Sequence, residues 1–140
     1  MLIDSREPKP FLFLLARVLL GLLFIVSGIG KIDGYDGTVE LAAVAGVPLP
    51  QIAVALAAVA EIGLPILLLL GWKTRWVTIA LILLVLATNG FFHRFWEMDG
   101  EGQILNKIML FKNFAIIGGL LLLATVGPGR WALDARRSRR

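Results

Sequence analysis

Apolar residues in this chain fall into four long runs separated by short polar connections, and the polar residues inside the runs recur at helical spacing. The second run, Gln51 to Gly71, is about twenty residues long and holds a single carboxylate, Glu61, near its middle. At a rise of ~1.5 Å per residue such a helix spans a hydrocarbon layer of ~30 Å and sets the acid close to the midplane. Insertion scales put a central ionised side chain at ~2.5–3.5 kcal/mol, so the acid needs a partner. Ala57, Ala58, Leu64 and Pro65 share its face at i±3 and i±4, with Ala53 a further turn away. These mostly small side chains predict a neighbouring helix packed closely against Glu61.

The other runs supply candidates for that neighbour. The first, about residues 11–31, carries Arg17, Gly21, Phe24, Gly28 and Lys31 on one helical stripe, which turns both cations toward the bundle and uses the glycines for close packing. Its start is similar to a signal peptide, with Arg6 and Lys9 before the apolar core and Gly28-Ile29-Gly30 in the place of a cleavage site, but Arg17 inside the core argues for a retained helix. The third run, about 76–93, presents Thr78, Ile82, Val85, Asn89, His93 and Trp96 on one face, with Asn89 and His93 one turn apart. The fourth, about 108–126, places Lys112, Ala115 and Gly119 together, with Asn113 and Gly118 beside them.

Between the runs, Gly34-Tyr35-Asp36-Gly37 predicts a turn, Thr38 to Ala45 a short interfacial helix and Gly46 to Pro50 its stop. Trp72 to Trp76 reads as a tight basic turn with interfacial aromatics, and Arg94 to Lys107, with two glycines and three acids, as a solvated loop. Gly127-Pro128-Gly129 closes the last helix and residues 127–140 form a basic tail. The fold expected is an all-α membrane protein: one domain over 1–140, an antiparallel four-transmembrane-helix bundle with a short interfacial helix between helices 1 and 2.

Composition agrees, since 58% hydrophobic residues against 17% charged is far from the balance of a water-soluble domain. With about eighty of the 140 residues in apolar runs, little chain is expected to be left for a soluble domain. The absence of cysteine removes thiolate metal sites, iron-sulfur clusters and any sulfur intermediate carried on the protein. A single histidine excludes a bis-histidine haem within one chain, and neither metal nor haem is expected. The net charge of +4 reflects topology rather than nucleic acid. Nine basic residues belong to the N-terminus, the 72–76 turn and the C-terminus, against Lys31, Arg94 and Lys107 in the other two connections. By the positive-inside rule both termini are cytoplasmic in a bacterial inner membrane.

That orientation gathers Lys31, His93, Lys112 and Asn113 in the outer third of the membrane, with Glu61 deeper and Arg17 in the inner half. Helix-rise arithmetic lets Lys112 or Arg17 pair with Glu61 across a depth offset of ~6–10 Å. Glu61 and His93 are the candidate catalytic groups; Arg17, Lys31, Lys112, Asn113, Asn89 and Trp96 are candidate ligand contacts. Plainer roles compete for each. Glu61 could serve in a buried ion pair that fixes helix register, and Arg17 and Lys31 could snorkel to the headgroups. His93, Lys112 and Asn113 could act as interhelical glue, and Phe91, Phe92, Phe95, Trp96, Phe111 and Phe114 could form an outer aromatic belt. Together they describe a flat, aromatic-walled slot with cationic and amide donors at one end and a carboxylate deeper in, which suits a quinone. The alternative is a non-enzymatic anchor or assembly factor; a transporter is disfavoured by the lack of a visible repeat. The residues leave a homo-oligomer open.

The stretches RVLLGLLFIVSGIGK (Arg17 to Lys31), AGVPLP (Ala45 to Pro50), AEIGLPILLLLGWKTR (Ala60 to Arg75), FHRFW (Phe92 to Trp96), FKNFAIIGG (Phe111 to Gly119) and GPGRWALD (Gly127 to Asp134) resemble the DoxX family of small four-helix membrane proteins. The resemblance marks the same polar positions, Arg17, Lys31, Glu61, His93, Lys112 and Asn113, as a site. It implies a membrane or quinone-facing subunit that works with a partner oxidoreductase or redox protein. Pro65 departs from the small residue that relatives tend to carry there, and implies a kink beside Glu61.

Overall fold

A computed structural model describes residues 9–137, with side chains to residue 135. Arg6 of the N-terminal segment and the side chains of Arg136, Arg137, Arg139 and Arg140 therefore lie outside the described residues. Helix α1 (Pro10–Asp33) begins with proline at its first position, where a missing N–H is harmless, and ends as Gly34 N–H bonds the Gly30 carbonyl. A single residue then separates it from α2 (Tyr35–Val44), so the predicted four-residue turn is already helix from Tyr35. Gly46, at φ +82°, stops α2. Pro50 starts α3 (Pro50–Leu70), which closes at Gly71 (φ +65°) in a Schellman cap, with Gly71 N–H on Leu68 O and Trp72 N–H on Leu67 O.

Helix α4 (Thr74–Phe92) follows directly, two residues earlier than expected, because the Asp134 carboxylate accepts from the backbone N–H groups of Lys73 and Thr74, both at 2.8 Å, and so caps its start. The supposed loop before the fourth crossing is mostly helical: after a 3₁₀ turn at Phe95–Glu97, α5 runs from Gly100 to Val126. Gly100 (φ +62°) marks the entry to the helix, and Asn106 Nδ2, bonded to the Gly102 carbonyl, ties down its first turns. Helix α6 (Leu133–Arg137) follows a segment held on the bundle by the Trp131 carbonyl, buried Ala132 and Asp134, whose N–H bonds the Gly71 carbonyl.

Helix α1 packs chiefly on α3 and α4 on α5, with α3 against α4 joining the pairs; α1 and α5 meet at few points. The buried stripe of α1 is Arg17, Gly21, Phe24 and Gly28, as its spacing predicts. On α3 the buried line is Val54, Ala58, Glu61, Pro65 and Leu68, so Val54 rather than Ala53 extends the face. Helix α5 is rolled relative to expectation: Leu110, Asn113, Leu120 and Leu123 are buried, whereas Lys112 and Ala115 are exposed. Turning Asn113 inward costs one amide that finds a partner; turning Lys112 inward would strip water from an ammonium.

Phe24, Leu68, Val77, Leu81, Val85, Leu120 and Leu123 form the apolar core. Most of it lies toward the end where α1 and α4 begin and α3 and α5 finish. The opposite, α2-bearing half holds the buried polar residues Glu61, Asn89 and Asn113. Outward faces are uniformly greasy, Leu19, Leu56, Val59, Leu83 and Leu122 all being more than half exposed, and four helices are long and apolar enough to cross a membrane. The bundle sits in a lipid bilayer.

Candidate functional site: a polar chamber and an apolar slot meeting at Glu61

Glu61 is 5% exposed, and its Oε2 accepts from Lys31 Nζ at 2.8 Å. Gly28 makes this contact available. A Cβ at that position would stand 2.8 Å from Ile62 Cγ1 and 3.2 Å from the Ala58 carbonyl oxygen, so glycine lets α1 approach α3 where the acid projects. Side chains lean toward the N-terminus of their own helix, which carries Lys31 back from the α2 end of α1 toward the membrane interior. The expected partners, Lys112 or Arg17, are thus replaced by Lys31. Its ammonium also donates to Ser27 Oγ at 2.9 Å, leaving one of its three N–H groups uncommitted by these two bonds. Pro65, buried one turn on, has no N–H for the Glu61 carbonyl, so the peptide oxygen of Glu61 lacks its ordinary intrahelical donor.

Two cavities meet at this residue. The smaller, of 150 Å³, lies inside the bundle between Phe24 and Ser27 of α1, Val85 of α4, and Lys112, Asn113 and Ile116 of α5. The larger, of 480 Å³, runs as a slot between α2, α3 and α4, walled by apolar residues including Leu41, Val54, Ala57, Ala87, Phe91 and Phe92. Its polar groups are Lys31, Glu61, His93, Thr38 and Thr88. Glu61, Leu84, Thr88 and His93 line both spaces, so they form the partition. Two further furrows, between α1 and α3 and between α1 and α5, carry no ionisable group except Tyr35 and continue the apolar exterior.

His93 follows the last turn of α4, and its Nδ1 lies 3.1 Å from Asn106 Oδ1. Because Asn106 Nδ2 donates to the Gly102 carbonyl, Oδ1 is the acceptor, which places the neutral ring's proton on Nδ1 and leaves Nε2 with an open lone pair. Asn113 Nδ2 donates to Asn89 Oδ1 at 2.8 Å and thereby bridges α5 to α4. Asn89 Nδ2 has no protein acceptor among the described residues.

The remaining candidates lie elsewhere or at the margin. Lys112 reaches the edge of the inner cavity from an exposed position, with Nζ 3.2 Å from Met109 Sδ. Trp96 is 60% exposed, lies edge-on to Phe95, and lines neither space. Arg17 is fully buried at the opposite end, donating to the carbonyls of Leu69 (2.8 Å), Leu68 (3.4 Å) and Trp131. It neutralises the end of α3 and is separated from Glu61 by apolar core. Sequence reasoning missed Ser27, Thr38, Thr88 and Asn106. Ser27 was within reach as the residue four before Lys31, whereas Asn106 lay in a segment whose glycines hid its helix.

Comparison with known proteins identifies relatives of the whole chain. The family profile named DoxX matches residues 12–94, which include Lys31, Glu61 and His93 and stop before α5. The chain is 41% identical over 133 residues to the inner membrane protein YphA of Escherichia coli, covering 95% of each. Over 121 residues it is 38% identical to the inner membrane protein YqjF of the same bacterium, covering 86% of this chain and 88% of YqjF. A Surfeit locus protein 4 homolog of Drosophila melanogaster is 24% identical over 137 residues, or 44% of its own length. No solved structure matches.

Proposed function

The chain belongs to the DoxX family, and from that premise we propose that it is an inner-membrane protein whose slot binds a quinone for a partner oxidoreductase. One observation carries the reading: an apolar slot of 480 Å³, within the ~300–1,000 Å³ usual for small-molecule sites, has Glu61 and His93 on its partition with the inner cavity and Lys31 on its wall, bonded to Glu61. This donor set fits the ligand. Lys31 offers an N–H to a carbonyl oxygen, His93 Nε2 offers a lone pair to a hydroxyl, and the aliphatic and phenyl walls accept a tail. Bound there, a quinone supplies two-electron redox chemistry. Electrons come from the partner, since this chain has no cysteine for a sulfur or cluster relay.

The concentration of basic residues at the ends and in the 72–76 turn supports cytoplasmic termini and a slot in the outer half of the membrane. The inner-membrane assignment rests on the names of the two bacterial relatives.

Organic extraction of protein purified in mild detergent is expected to yield a quinone near one per chain. Titration of quinone-depleted protein with decylubiquinone should give saturable binding that Lys31→Met weakens about tenfold, as loss of one charged hydrogen bond implies. The competing reading, an anchor whose ion pair only locks α1 to α3, draws on the mutual satisfaction of Lys31, Ser27 and Glu61. It requires an empty extract and no saturable binding.

A further inference from the structure

Resting on that reading of the slot, we infer that the 150 Å³ inner cavity is a water-filled proton inlet ending on Glu61. A space of this size holds about five waters at ~30 Å³ each, and water occupies such a space when its walls are polar. Ser27, Thr88, Lys112 and Asn113 supply donors and acceptors along this one. Asn89, which lines neither cavity, accepts from Asn113 Nδ2 and holds that amide at the cavity wall. The exposed members of the lining, Leu23, Ser27 and Lys112, belong to α1 and α5, and the few contacts between those helices let the cavity open there. An ammonium at that mouth draws water inward where lipid would otherwise close over it.

Glu61 is suited to end the path because it lines both spaces. The groups facing it are Lys31 and Ser27 from α1, Thr88 and His93 from α4 and its end, and Lys112 and Asn113 from α5; α2 brings Thr38 to the slot but no ionisable side chain. A proton entering through cavity water joins a Glu61 Oε atom and leaves Lys31 held by Ser27. Release of that proton into the slot restores the carboxylate and the ion pair. Each cycle moves one proton from water to the slot, and no electron passes through Glu61.

The cysteine-free sequence makes the path testable by thiol labelling. Ser27→Cys and Ile116→Cys would be placed in lipid nanodiscs beside Val26→Cys, whose parent side chain is 62% exposed on the neighbouring position of the same helix. The membrane-impermeant cation methanethiosulfonate ethyltrimethylammonium reacts with thiolate, which forms in water and not among acyl chains, so the two cavity positions should label at least ~tenfold faster than Val26→Cys. Equal, slow labelling at all three, in variants that melt like the parent, overturns the inlet. An infrared pH titration completes the test: a carboxylic C=O band lost in Glu61→Gln should shift promptly in heavy water, and an unshifted band overturns Glu61 as the endpoint. Decylubiquinone should slow labelling of Ala57→Cys in the slot while sparing Ser27→Cys. Failure of that protection alone defeats the quinone reading and leaves the water path standing.

Discussion

At the scale of single residues, the Lys31–Glu61 contact is the test of whether buried charge serves stability or chemistry here. The two side chains are 25% and 7% exposed, so the acid is the more deeply withdrawn partner. Replacing it alone strands an ammonium beside Ser27. Glu61→Gln is expected to lower stability by ~2 kcal/mol, read as a lower midpoint of thermal unfolding in detergent. Combining Glu61→Leu with Lys31→Met removes both charges and should recover most of that loss, because well-packed apolar pairs often match buried ion pairs. Under the proposed function the double variant, which lacks the Lys31 donor, binds quinone about tenfold more weakly than the parent. A double variant no more stable than the single would show that the charges cooperate with more than each other.

Secondary-structure elements show where the sequence could be read and where it could not. The α1 stripe Arg17, Gly21, Phe24 and Gly28 was legible because polar and small residues interrupt an otherwise uniform apolar run at one consistent period. The α5 face was not, because the rule that polar residues turn inward treats Lys112 and Asn113 alike, although only the amide is buried. The Lys31–Glu61 partnership was missed because rise per residue fixes the Cα depth and ignores the backward lean of a long side chain. Close packing at Gly28 predicts that Gly28→Ala, whose Cβ would press on Ile62 and the Ala58 carbonyl, destabilises by ~1–3 kcal/mol. Gly63→Ala, with nothing within 4 Å, should leave the melting temperature at or above that of the parent. At the start of α4, Asp134→Ala removes two backbone caps for ~1 kcal/mol, and Asp134→Asn, with one acceptor oxygen where the carboxylate uses both, should keep one of them and fall between Ala and the parent in circular-dichroism melts.

For the molecule as a whole, the four candidate spans put both ends on one side, and the proposed topology makes that side the cytoplasm. Green fluorescent protein fused at either terminus should therefore fluoresce. Alkaline phosphatase inserted near Gly37 should be active and one inserted at Lys73 inactive; the reverse pattern would invert the slot. The four-helix plan was legible from run lengths alone, while the junction of two cavities depends on packing details that no periodicity encodes. Arg17 adds a constraint of timing. Its guanidinium is made well before one of its acceptors, the Trp131 carbonyl, which lies 114 residues further along the chain. Until then the nascent bundle carries an incompletely coordinated cation below its surface, and the carboxylate that caps α4 is also missing. Chains terminated at Pro128 should accordingly be cleared faster by membrane proteases in a pulse-chase experiment, so that survival in the membrane reports synthesis through Asp134.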